Sequence, residues 1–115
     1  MSVRAPANVA DPPKWDFSKQ QPADVVVINI GTNDNNTANN VTSAEFVPAY
    51  ISLIEQIHAT WPDAPIIVQS LWSGWYQTGS TWQQAQGFYN EIQEVVKHFN
   101  GGSLNKLGGD GYVYW

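Results

Sequence analysis

The chain contains no cysteine, which excludes a disulfide framework, a thiol nucleophile and a thiolate metal site. That absence leaves the redox compartment open. Basic residues are scarce: five Lys and Arg stand against ten Asp and Glu, for a formal net charge of −5. Without a basic run to neutralise phosphates, neither nucleic acid nor an anionic membrane is an expected partner. No apolar run reaches the length of a membrane span, and the first residues, Met1 to Asp11, lack the apolar centre of a signal peptide. Two isolated histidines without spaced carboxylates give no metal site. No Gly-rich phosphate loop points to a nucleotide, so no cofactor is expected.

What is present suits a globular fold. Hydrophobic residues make up 43% and charged residues 13% of 115 positions, enough apolar material for one domain with a core. Residues 1–22 hold Pro6, Pro12, Pro13 and Pro22 with little periodicity and read as an irregular N-terminal arm, which Trp15 and Phe17 could pin to the body. Residues 23–115 form the domain proper.

The domain is organised around Val25-Val26-Val27-Ile28-Asn29-Ile30-Gly31-Thr32-Asn33-Asp34. An unbroken β-branched run predicts a strand buried on both faces, as in a parallel sheet covered by helices. An Asn-rich loop follows, in which Asn35 and Asn40 each begin an N-x-[ST] triplet. These mark a polar loop, or glycosylation sites if a parent protein is secreted; the compartment itself is undetermined. Thr42 and Glu45 then make a capping box, with Val41 placed to staple against Phe46. Apolar positions from Val47 to Trp61 keep the helical period, and Pro48 predicts a bent or late-starting first turn. Pro65 and Ile66-Ile67-Val68 announce a second buried strand. Ser80 and Gln83 predict a second capping box, opening a helix whose stripe runs from Trp82 to Phe99 and stops at Asn100-Gly101-Gly102. Tyr112 to Trp115 reads as a third strand. The order β-α-β-α-β implies a parallel sheet joined by right-handed crossovers.

Chemistry is expected where the first strand ends, because open α/β sheets bind ligands beyond the carboxyl ends of their strands. Gly31 lets a ligand approach the backbone, and Asn33 can aim its amide NH₂ into the same space. A neutral donor of this kind suits an oxyanion and is typically worth about 3 kcal/mol. The same residues also fit an Asx-type turn that merely reverses the chain. Ser70 and Ser73 end the second strand but lie in no nucleophile-elbow pattern. His58 reads as a packing residue and His98 as a partner of a helix dipole. In the stretch after the second strand, Trp72, Trp75 and Tyr76 are candidates for a substrate cleft, with Trp82 expected in the core.

Val-Val-Ile-Asn-Ile-Gly-Thr-Asn-Asp resembles the third conserved block, G-x-N-D, of the SGNH (GDSL-type esterase and lipase) superfamily. Trp61-Pro62-Asp63-Ala64-Pro65-Ile66-Ile67-Val68 resembles its helix-to-strand junction, so the likeness runs from about Trp15 to the end. Within the superfamily it is most similar to carbohydrate-ester deacetylases such as acetyl xylan esterases. The resemblance implies a three-layer α/β/α flavodoxin-like sandwich that hydrolyses carboxylic esters through a serine, with a small-molecule or carbohydrate ester as substrate. It places the oxyanion-hole Asn on Asn33, the block's glycine on Gly31 and its loop-holding Asp on Asp34. The G-D-S block that carries the nucleophile and the D-x-x-H block that carries acid and base have no match here. The expectation is therefore the β-α-β-α-β C-terminal part of the fold, inactive alone, with an exposed sheet edge prone to self-association. A non-catalytic glycan-binding module is the competing expectation.

Overall fold

Three short strands in sequence order define the frame of the domain. The structure is a computed structural model that describes residues 16–35, 39–72, 74–84, 87–104 and 111–115. Strands β1 (Val26–Ile28), β2 (Ile66–Val68) and β5 (Val113–Tyr114) form a parallel sheet in the order β1-β2-β5. Val26 pairs with Ile66 and Val27 with Ile67, while Ile66 pairs with Val113 and Ile67 with Tyr114. Helix α1 (Ser43–Thr60) joins β1 to β2, and helix α2 (Tyr89–Phe99) lies on the way to β5. A hairpin of β3 (Trp75–Thr78) and β4 (Thr81–Gln84) stands between β2 and α2. The parallel α/β class and the carboxyl-end placement of the polar loop are as expected.

Among the described residues the sheet is covered on one face only. When strands follow in order across a sheet, right-handed crossovers put every connecting helix on the same side. Side chains agree with this: Ile28, Ile66, Val68 and Val113 are buried against the helices. The alternate row on the other face, Val27 with Ile67 and Tyr114, is open enough to leave Val27 56% exposed and Val25 50% exposed. The expectation of a strand buried on both faces is thus corrected for β1, which also lies at the sheet edge among the described residues.

Helix α1 begins where its cap predicts. The Glu45 carboxylate accepts from the Thr42 backbone N–H at 2.9 Å and from the Thr42 hydroxyl at 2.8 Å. Val41 packs against the core beside this turn. The helix runs from Ser43 straight through Pro48, so its first turn does not start late. Pro48 is the sixth helical residue, past the unpaired N–H groups of the first turn, so it costs the bond that an N–H there would make to the Ala44 carbonyl. Phe46, Val47, Tyr50, Leu53, Ile54 and Ile57 form the buried face. In α2, Ile92, Val95, Val96 and Phe99 do the same, and the Gly102 N–H closes on the Lys97 carbonyl at 2.8 Å after Gly101 at φ 61°. This is the glycine stop read from the sequence.

The second helix starts later than expected. Ser80 is a turn residue, and the expected capping box from Ser80 to Gln83 is replaced by a two-residue hairpin turn, with Gly79 at φ 63° between the paired Thr78 and Thr81. Flanking Trp, Tyr and Thr favour the extended state, and a Gly-X turn closes it. Trp82, expected in the core, is accordingly 62% exposed.

Hydrogen bonds from Thr42 hold the Glu45 carboxyl below its usual range. A lowered folded value means that its contribution is complete above the ordinary glutamate range, about 4.3, and fades as pH falls through the folded value. Thermal melts followed by circular dichroism should show a loss of stability in acid that the Glu45→Gln variant lacks in part. Identical acid slopes for the two proteins would remove the cap from this role.

Candidate active site

The loop after β1 is built on one glycine. Gly31 is buried with φ 114°, in the region that L side chains rarely adopt. A Cβ there would stand 2.9 Å from Phe46 Cε2, 3.0 Å from Phe46 Cζ and 3.5 Å from Leu71 Cδ1. Phe46 cannot easily withdraw, because its ring is stacked on Phe88 with centroids 4.0 Å apart. The backbone at Gly31 therefore lies directly on the core, and the residues after it project outward from a fixed point.

From that point the chain makes a tight turn. The Asn35 N–H donates to the Gly31 carbonyl at 2.9 Å, and the Asn39 side-chain amide donates to the Asn33 carbonyl. These two bonds hold the loop among the described residues. Asn33 is thus fixed through its backbone while its side chain is exposed. Asp34 beside it is exposed as well. Behind the loop, the Asn29 amide reaches across to the Ser70 carbonyl at 3.1 Å and the Gln69 side-chain oxygen at 3.4 Å. With Gln69 N–H donating to the Ile28 carbonyl at 2.9 Å, this ties the exits of β1 and β2 together.

The loop forms one wall of an open cleft of about 890 Å³. Thr32, Asn33, Asp34 and Asn39 face Phe46, Ala49, Tyr50 and Leu53 of α1 across it. The lining residues carry amides, two carboxylates and apolar side chains but no cation. Tyr50 is buried, and its hydroxyl has no partner among the described residues. Burial raises its pKa well above the ordinary tyrosine value, so the phenol stays neutral. The arrangement offers neutral hydrogen-bond donors at the mouth of a partly apolar recess, which suits a polarised carbonyl oxygen better than a bound anion.

The other residues singled out from the sequence lie elsewhere. His58 stacks on Tyr112 with ring centroids 3.6 Å apart and planes 2° from parallel, next to Pro62 and Pro65 at the amino ends of the strands. This is the packing role expected, at the opposite end of the sheet from Asn33. His98 meets the edge of Phe99 at 5.0 Å on α2. Neither lines the cleft. Ser70 ends β2, with its backbone carbonyl held by Asn29, and Ser73 lies outside the described residues. Leu71 packs beside Gly31, but Trp72 is 82% exposed and Trp75 is 60% exposed on the hairpin side. Tyr76 pairs with Gln83 in that hairpin. The cleft wall opposite Asn33 thus comes from α1, a contribution not foreseen because Phe46, Tyr50 and Leu53 read simply as a helix's core stripe.

Replacing Gly31 by Ala should destabilise the domain by at least about 2 kcal/mol, from backbone strain and from displacement of Phe46. Chemical denaturation checks this, and a change within error would show that the Phe46 contact yields freely.

Comparison with known proteins identifies a family. Residues 4–105 match the model of the GDSL-like Lipase/Acylhydrolase family. Over 53 residues the chain is 49% identical to the cellulase/esterase CelE of Acetivibrio thermocellus, an alignment covering 46% of this chain and 6% of that protein. The chain thus spans a small fraction of the length of this curated relative. No solved structure matches. With nine-tenths of its length matched by the family model and its G-x-N-D turn set at the carboxyl end of a parallel strand, the chain belongs to the GDSL-like lipase/acylhydrolase family.

Proposed function

We propose that this domain supplies the oxyanion-binding arm of a serine carboxylic-ester hydrolase acting on acylated carbohydrate. The observation that carries the reading is the state of Asn33: its carbonyl is occupied by Asn39, its loop is anchored at Gly31, and its side chain is left exposed at the cleft mouth. With the backbone fixed, only the side-chain rotamer is left to set as charge develops. In the reaction, a serine hydroxyl attacks the ester carbonyl as a histidine takes its proton. The C=O π electrons move to oxygen, and the Asn33 NH₂ donates to that oxyanion. Collapse of the tetrahedral intermediate expels the alcohol, and water then releases the acid. Gly31 contributes the open backbone that lets the substrate approach. The scheme assigns its serine and histidine to a longer polypeptide, because neither a Gly-Asp-Ser nor an Asp-x-x-His motif occurs among these 115 residues. The likeness to a protein named cellulase/esterase supports a carbohydrate ester as substrate.

A fluorophosphonate probe should leave the 115-residue chain unlabelled, whereas a longer polypeptide containing the Gly-Asp-Ser block should react. In that polypeptide Asn33→Ala should lower kcat by about 10²–10³ and change KM little. Unaltered kcat would eliminate Asn33 as the oxyanion donor.

We also propose that the domain alone self-associates through β1. Among the described residues the strand lies at the sheet edge with Val25 and Val27 exposed, the arrangement that invites edge-to-edge pairing. Sedimentation velocity should show mass rising with concentration, and Val27→Lys should suppress the rise. A monomer at all concentrations would dismiss this contact.

A further inference from the structure

We infer that the β3–β4 hairpin is a stacking platform for an uncharged oligosaccharide, standing apart from the cleft at Asn33. The inference rests on the carbohydrate reading for the class of ligand but not on any chemistry at Asn33.

The register of the hairpin carries it. Trp75 pairs with Gln84, and Gln77 pairs with Trp82. Side chains two apart on a strand share a face, as do those directly opposite across an antiparallel pair. Trp75, Gln77, Trp82 and Gln84 therefore occupy one face in a checkerboard. Each indole has an amide across the ladder and another along its own strand. The two indoles are diagonal neighbours, roughly 7–8 Å apart at their backbones, so together they offer more ring surface than a single sugar covers. Gln83, Thr78 and Thr81 take the other face. Trp75 and Trp82 are 60% and 62% exposed, far more than indoles that serve a core.

The chemistry of this face selects its ligand. Sugar rings present flat C–H surfaces that pack on aromatic faces, while their hydroxyls radiate from the ring edge and need donors and acceptors there. Alternating indole and amide side chains supply both at adjacent points. Charge narrows the class further: from Ala64 to Asn90 there is no Asp, Glu, Lys or Arg. A sulfated or uronic-acid glycan would find no cation along this stretch. The hairpin's root also sets its position. Leu71 and Gly87 flank the hairpin, and a Cβ on Gly87 would meet the Leu71 side chain at 3.2 Å. Leu71 in turn lies against Gly31. The platform thus grows from the same edge of the sheet as the oxyanion loop, where it can hold a polymer while one of its ester groups is treated.

The test is calorimetric titration of the chain with unacylated xylohexaose and cellohexaose. Saturable binding to at least one of them is expected, with Trp75→Ala and Trp82→Ala each weakening it about tenfold. The double variant W75F/W82F keeps two rings on the same backbone and should retain most of the affinity. Absence of binding, binding indifferent to both Ala variants, or equal loss in the Phe and Ala variants would each overturn the platform. Asn33→Ala should leave the affinity for these unacylated sugars unchanged. A failed ester reading would then appear as intact binding without turnover, and a failed platform as turnover by the longer polypeptide without binding here.

Discussion

The contact between the Gly31 backbone and the Phe46 ring is the constraint on which the arrangement of this domain depends. Phe46 is in the first turns of α1, Phe88 stacked on it caps α2, and Leu71 touching the same glycine leads into the hairpin. Four segments far apart in sequence thus meet around one position that has no side chain. Close packing of this kind transmits displacement, because core atoms have little free volume into which to relax. A shift of Phe46 would be felt at once in the loop that carries Asn33 and at the root of the Trp-bearing hairpin. The loop bearing Asn33 and the core are therefore not separable parts of this molecule.

Much of this was readable from the residues. The β-branched runs at Val25–Ile30 and Ile66–Val68, the Thr42–Glu45 cap and the Asn100-Gly101-Gly102 stop each carry a local physical cause, and the structure follows them. The hairpin did not emerge because two local patterns compete over the same residues. Ser80 with Gln83 satisfies a capping box, and Trp82, Ala85 and Phe88 satisfy a helical stripe, yet the same stretch alternates as a strand around Gly79-Ser80. Which pattern prevails depends on tertiary context, here on Leu71 and Gly87 fixing the hairpin's ends. The exposed Trp82 follows from that outcome.

The candidate site was legible to a similar degree. Gly31 and Asn33 stand where a strand ends in polar residues, which the sequence signals directly. The Asn29 tie to Ser70 spans forty-one positions, and no local pattern announces such a bond. The α1 wall was hidden for another reason: Phe46, Tyr50 and Leu53 face both the core and the cleft, and their spacing signals only the first. Burial on one side of a sheet is equally silent in a β-branched run, since Val25 and Val27 look no different from Val26 and Ile28 until the number of layers is known.

The central strand gives Val113 and Tyr114 an influence beyond their number. β2 has β1 on one side and only the two-residue β5 on the other, and the buried Asn100 amide donates to the Val113 carbonyl at 3.2 Å. During synthesis, β1, α1 and β2 can come together while the second edge of β2 still lacks its partner. The sheet is closed on that side only when Val113 arrives, and the C-terminal end of α2 is fastened in the same event. Val113 thus serves two contacts at once, one to the neighbouring strand and one to the end of the helix that packs over it.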